Sequence, residues 1–166
     1  EGLEGSLRRL NTDYVDLYQL HNPSTDLLRD AGHLKELLAT WLSAGKIRAL
    51  GISVKSPEEA QLAMDNFDLA SVQVNFNLID QRCLAVGLFD LAIKKDVSII
   101  ARTPLCFGFL TGLYSNETDF LPGDHRNSWS SEQINLWAGA LEKFREVISH
   151  HKVNSPAQFA LRYCLS

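Results

Sequence analysis

The sequence predicts an α/β fold on parallel strands, and three observations carry that expectation. Short runs rich in β-branched and aromatic residues start near Tyr14, Ile47, Ser71 and Ser98. Each interval between them is long enough for a helical crossover, and a strand, crossover, parallel strand series is the signature of an α/β sheet. Helix start and stop signals stand inside those intervals, at Ser56-Pro57-Glu58-Glu59 and at Gly45.

The elements follow in order. The first strand is expected over 13–20, closed by His21-Asn22-Pro23, where proline interrupts a ladder. Leu34, Leu37, Leu38, Trp41 and Leu42 recur at helical spacing and should form one apolar stripe, which Gly45 ends as a left-handed cap. The second strand spans Ile47 to Ser53. A helix opens with Ser56 as N-cap, Pro57 at its first position and Glu59 closing a capping box, and it runs to about Phe67. The third strand is 71–76. The span 83–95 reads as one helix with Leu84, Leu88, Leu91 and Ala92 inward, and 97–101 as a short strand buried on both faces.

After Ala101 the periodicity lapses. Residues 102–130, with Gly108, Gly112, Pro122 and Gly123, form a long irregular segment of the kind that is usually functional in a compact α/β domain. Two helices close the chain, one over 131–151 and one opened by a second capping box at Ser155-Pro156-Ala157-Gln158.

Composition narrows the function. With 166 residues, 45% hydrophobic and 22% charged, the chain matches a single ordinary globular domain over 1–166. Cys83, Cys106 and Cys164 show no CxxC spacing, so neither a zinc set nor a disulfide framework is expected, and reduced thiols in the cytoplasm fit best. No apolar run reaches the length of a membrane span, and Glu1-Gly2-Leu3-Glu4-Gly5 has no basic region of a signal peptide. Sixteen Lys+Arg against twenty Asp+Glu, without a basic cluster, argue against a nucleic-acid partner. The start without Met and the stop at Ser166 inside an amphipathic pattern read as a chain cut at both ends.

In parallel α/β architectures ligands bind at the carboxyl ends of the strands. Those ends hold His21 and Asn22, Ser53, then Gln73, Asn75 and Asn77, then Arg102 and Thr103. Amide, hydroxyl and imidazole groups with one planar cation and no carboxylate pair suit the orientation of a neutral polar group better than hydrolysis or metal binding. Each of these residues also has a plain role open to it, His as a partner of nearby backbone and Ser or Asn as a cap or turn residue. His33, His125, His150 and His151 fall on solvated positions. Gly51-Ile52-Ser53-Val54-Lys55 is not a G-x-S-x-G elbow, so Ser53 is not expected to be a hydrolase nucleophile.

Taken together, these pieces resemble the aldo-keto reductase family from end to end. The resemblance runs through Ser6-Leu7-Arg8-Arg9-Leu10, Tyr14-Val15-Asp16-Leu17-Tyr18-Gln19-Leu20-His21, Gly45-Lys46-Ile47-Arg48-Ala49-Leu50-Gly51-Ile52-Ser53, Gln73-Val74-Asn75-Phe76-Asn77, Pro104-Leu105 with Gly108, and Leu110-Thr111-Gly112 with Tyr114. It implies a (β/α)8 barrel of which this chain carries the fourth to seventh strands with their helices. It also implies a nicotinamide cofactor, NADP with NAD as the other possibility, bound without a Rossmann domain, and a small-molecule carbonyl substrate reduced by hydride transfer.

By position, the resemblance makes His21 the catalytic histidine that orients the carbonyl oxygen, with Ser53 and Gln73 on the nicotinamide carboxamide. Arg102 stands where many members stack an aromatic ring on the nicotinamide, and its guanidinium plane can stack too. Thr103, Pro104, Leu105, Gly108 and Gly112 fall on the loop beside the pyrophosphate, where glycines allow close approach of backbone. Gly112 is followed by Leu113 where many members have Lys, which leaves Arg126 as a phosphate cation. Val54 follows Ser53 where the family often has Asn, and Asn22 takes an aromatic substrate-pocket position. The family's Asp, Tyr and Lys belong to strands that would precede residue 1, so the chain as given is expected to be inactive. The alternative is a cofactor-binding regulatory subunit of the same fold. A barrel of this type typically takes ~250 residues.

Overall fold

The computed structural model describes residues 2–30, 32–115 and 117–166. Glu1 of the opening segment, Ala31, and Asn116 inside the irregular stretch 102–130 therefore lie outside the described residues. Four strands form one parallel sheet in the order β1-β2-β3-β4: β1 Val15–His21, β2 Ile47–Ser53, β3 Ser71–Asn75 and β4 Ser98–Arg102. Helix α1 (Gly2–Leu10) precedes the sheet, α2 (Thr25–Arg29) and α3 (Gly32–Ser43) link β1 to β2, and α4 (Pro57–Asn66) links β2 to β3. Helices α5 (Arg82–Ala85) and α6 (Leu88–Lys95) lead into β4, and α7 (Ser131–Ala138), α8 (Ala140–His150) and α9 (Pro156–Tyr163) follow it. None of the described helices is long and apolar enough to cross a membrane.

The chain forms two compact units, Glu1–Val74 with Arg82–Ile100, and Asn75–Gln81 with Ala101–Ser166. In the first, Leu3 and Leu7 of α1 pack with Ile47 at the start of β2, and Val15, Tyr18 and Trp41 close over them. Ile52, Val72 and Val74 are fully buried along the middle strands. In the second, Leu78, Cys106, Leu110 and Ala160 form a core flanked by Leu105, Trp137, Leu141, Phe144, Phe159 and Tyr163.

Local chemistry explains the best-defined starts and stops. The Ser56 hydroxyl accepts from Glu59 N–H at 3.2 Å while the Glu59 carboxylate accepts from Ser56 N–H at 3.2 Å, the reciprocal capping box expected at α4. Gly45 lies at φ +69°, ending α3 in the left-handed region that favours glycine.

Several expectations are corrected. The first strand begins at Val15 and includes His21, and the third ends at Asn75. Only Leu38 of the α3 stripe is buried; Leu37 and Leu42 are about two-fifths exposed. The helix expected over 83–95 is two, because Gly87 takes φ +67° between α5 and α6, and this turns Leu84 outward. β4 has no fully buried residue, so it is not covered on both faces. The helix expected over 131–151 breaks at Gly139, the poorest helix former after proline. At α9 the box is half formed: Ser155 Oγ accepts from Gln158 N–H, but Gln158 Oε1 accepts from Asn154 N–H instead of Ser155 N–H. Among its described residues, the stretch 102–130 holds two 3-10 turns, Cys106–Thr111 and His125–Ser128.

Gly51 shows how tightly the first unit is drawn together beneath the strand ends. A Cβ there would stand 2.6 Å from Ser71 Oγ and 3.0 Å from Gln19 Cγ, its register neighbours on either side. Ser71 Oγ and Gln19 Oε1 are both buried without a hydrogen-bond partner. Gly51→Ala is expected to cost about 1–3 kcal/mol through overpacking. Ser71→Ala removes an unsatisfied hydroxyl, so alone it should be nearly neutral and in the double variant it should recover part of the loss. Urea midpoints of the three variants measure this; a double variant no more stable than Gly51→Ala would refute the steric account.

Candidate functional site

Parallel pairing brings His21, Ser53 and Gln73 into one row. His21 is in register with Ser53, and Ser53 with Gln73, each at or near the carboxyl end of its strand. Residues in register on neighbouring strands project to the same face, with backbones about 4.8 Å apart. The row is therefore set by sheet geometry rather than by loops. Asn22 N–H donates to Ser53 O at 2.8 Å and Val54 N–H to Gln73 O at 2.9 Å, so the ladder continues one residue past the strands.

Within the row, Ser53 is 2% exposed and its hydroxyl donates to Gln73 Oε1 at 3.1 Å. That bond leaves lone pairs on Ser53 Oγ and the amide hydrogens on Gln73 Nε2. An acceptor beside a donor is the complement of a primary carboxamide. His21 is exposed, and its Nε2 faces Asn22 Nδ2 at 3.3 Å. Asn22 Nδ2 can only donate, so in this contact Nε2 accepts and the ring N–H stands on Nδ1, which leaves His21 a donor for an oxygen ligand. Asn22 takes φ +48°, a conformation asparagine tolerates better than most residues, and this folds its amide back against the imidazole. Val54 is 1% exposed and belongs to the core.

The remaining predicted site residues lie in the second unit. Arg102 is half-buried at the end of β4, and its carbonyl accepts from Phe76 N–H at 3.2 Å. Thr103 follows at φ +53°, with its hydroxyl on Arg102 O at 2.7 Å. Pro104 is half-buried, and Leu105 packs into the core of the unit while its carbonyl receives Gly108 N–H and Leu110 N–H. Gly108, at φ +98°, leaves no open space on its side-chain side: a Cβ would meet Tyr114 Cε2 at 2.8 Å. Gly112, at φ +81°, faces Pro156 and Leu141. Gly108 thus has an internal packing reason and Gly112 a backbone one, since its positive φ favours glycine while a Cβ there would meet its neighbours only at ordinary contact distances; both stand beside the ligand-approach role the sequence suggests.

Arg126 is bound within its own unit. Its Nε and Nη2 donate to the two oxygens of Asp124 at 3.0 and 2.6 Å, its Nη1 to Phe107 O at 3.4 Å, and its guanidinium lies 4.6 Å from the Tyr114 ring centre and 4.4 Å from that of Phe120. The hydrogen bonds from Arg126 hold the Asp124 carboxyl down at about 2, and the same pairing pushes the Arg126 guanidinium up. Its charge is matched by a carboxylate, so a phosphate would have to share it. Sequence reasoning passed over Asp124, although the spacing Asp124-His125-Arg126 is short enough to signal a local pair. It also gave no specific role to Asn77, which is buried and bonded to Thr103 O at 2.9 Å.

Burial, with a smaller push from Asp80, raises the Cys106 thiol to about 12, which keeps it an unreactive core residue. Cys83 and Cys164, like Cys106, are not joined in disulfides. Among the described residues, no group of three His, Cys, Asp or Glu could hold a metal ion.

Comparison with known proteins gives one answer. The model of the Aldo/keto reductase family matches residues 1–166. Aldo-keto reductase YhdN of Bacillus subtilis is 35% identical over 127 residues, covering 76% of this chain and 38% of that protein. Aldo-keto reductase yakc [NADP(+)] of Schizosaccharomyces pombe is 29% identical over all of this chain and 49% of its own length. Among solved structures, the glycerol dehydrogenase AKR11B4 from Gluconobacter oxydans superposes with a TM-score of 0.73 at 30% identity, covering 99% of this chain and 50% of that one. The chain thus spans half or less of the length of these relatives.

Proposed function

The chain belongs to the aldo/keto reductase family, and from that premise we propose that it supplies the carbonyl-orienting and nicotinamide-seating part of an NAD(P)H-dependent carbonyl reductase. The row of His21, Ser53 and Gln73 carries this reading. When bound, the nicotinamide supplies a hydride for an aldehyde or ketone carbon. Ser53 Oγ accepts from the carboxamide NH2 and Gln73 Nε2 donates to its oxygen, which fixes the face the ring presents. His21 donates to the substrate oxygen and so sets where the carbon stands. By the same resemblance, Arg102 is proposed as a stacking contact of the nicotinamide, and Thr103, Pro104, Leu105, Gly108, Gly112 and Arg126 as cofactor-binding residues of the loop for its phosphates. NADP is favoured over NAD by the named cofactor of the yeast relative. Three thiols outside any disulfide fit a reducing, cytoplasmic setting.

Of the four groups the family uses for the reaction, the chain itself carries the histidine. It is therefore expected to bind cofactor weakly and to turn over no carbonyl. An NADPH titration of the intrinsic tryptophan fluorescence tests the reading. Saturable binding should weaken roughly tenfold in Gln73→Ala, the loss of one well-placed hydrogen-bonding side chain. Absence of binding, or binding indifferent to Gln73, refutes the seating role. Steady NADPH oxidation abolished by His21→Ala refutes the claim that the chain alone is inactive.

A further inference from the structure

We propose that Asn77 is a positioning residue for the cofactor, acting by locking the turn after β4 through the Thr103 carbonyl; the proposal rests on the reading of Arg102 to Leu105 as cofactor contacts. Asn77 is 2% exposed, and its side chain is used at both ends. Oδ1 accepts from Ile79 N–H and Asp80 N–H, each at 2.9 Å, which anchors the amide to its own turn. Nδ2 then donates to Thr103 O at 2.9 Å.

The far side of that bond is a conformation that needs holding. Thr103 lies at φ +53°, a region a β-branched residue enters only as an outlier, because its Cβ crowds the following carbonyl. Residue 104 is proline, so the Thr103–Pro104 peptide has no N–H, and its plane can be held by hydrogen bonds only through the carbonyl. Two donors converge there: Cys106 N–H at 2.9 Å, which closes the turn, and Asn77 Nδ2. The Cys106 bond moves with the turn, whereas Asn77 is fixed elsewhere by Ile79 and Asp80. Asn77 is thus the external reference against which the strained turn is set. The Thr103 hydroxyl assists locally, on Arg102 O at 2.7 Å and Asn75 Oδ1 at 3.4 Å. Released from Asn77, Thr103 would relax toward negative φ and carry Arg102 and Leu105 away from their positions.

The test uses the chain with Asn77→Asp, which keeps an acceptor for Ile79 and Asp80 and removes the donor to Thr103. Should that variant not fold, Asn77→Ser replaces it, since a short hydroxyl can serve the local N–H groups but not reach Thr103. Amide hydrogen exchange at Cys106 should accelerate roughly tenfold and NADPH affinity should fall by a similar factor, the scale of one buried hydrogen bond. Adding Thr103→Gly, which takes positive φ without penalty, should restore both. A purely structural asparagine would not be rescued in this way. Unchanged exchange at Cys106, unchanged affinity, or failure of the glycine to restore either measurement overturns the proposal. If the unsubstituted chain binds no NADPH, the proposed function fails instead, and the exchange measurement still decides whether Asn77 sets the turn.

Discussion

Phe109→Ala should destabilise the second unit by about 3–5 kcal/mol, the range for removing a large aromatic side chain from a closed core. Phe109 is fully buried, and its ring centre lies 5.6 Å from Tyr114, 5.6 Å from Trp137, 6.1 Å from Phe120 and 6.3 Å from Trp129. These partners come from the irregular stretch and from α7, so Phe109 joins segments that share little regular secondary structure. A cavity left there can collapse only by moving several rings at once, which places the cost high in the range. Phe109→Leu keeps most of the volume and should lose far less. Urea denaturation followed by tryptophan fluorescence reads the effect, since Trp129 and Trp137 both border the site. A loss below about 1 kcal/mol for Phe109→Ala would mean that the aromatic cluster does not hold this stretch together.

The importance of that cluster bears on what the sequence made legible. Elements governed by local chemistry could be read directly: the Ser56 and Glu59 box depends on a side chain and a backbone three residues apart, and the Gly45 stop on the backbone freedom of one residue. The site row was legible in its residues, because His21, Ser53 and Gln73 belong to the runs that form strands. Their alignment was not, since register depends on pairing between strands and a shift of one residue would turn each side chain to the other face. The stretch 102–130 was least legible. Cys106 and Phe107 take positive φ, at +44° and +55°, where propensity argues against both, and only contacts distant in sequence can impose that.

The same contrast separates two kinds of glycine in this stretch. Gly123, at φ +88°, has nothing within 4 Å of where a methyl group would stand, so Gly123→Ala should lose only the conformational part, about 1–2 kcal/mol. At Gly108, with φ +98°, the added methyl would stand 2.8 Å from Tyr114 Cε2. The Tyr114 ring has little freedom to retreat, being held between Phe109, Phe120 at 5.4 Å and the Arg126 guanidinium. Overpacking of about 1–3 kcal/mol therefore comes on top of the backbone strain, and Gly108→Ala should lose about 2–5 kcal/mol in all. Tyr114→Ala in the same chain removes the obstacle, so the further loss on adding Gly108→Ala to it should shrink to that of Gly123→Ala. Urea midpoints of these variants decide the matter. Equal losses for Gly108→Ala and Gly123→Ala would show that the ring yields. Gly108 would then be required for its backbone conformation alone, and the Tyr114–Arg126 stack would not be the rigid wall that fixes the loop.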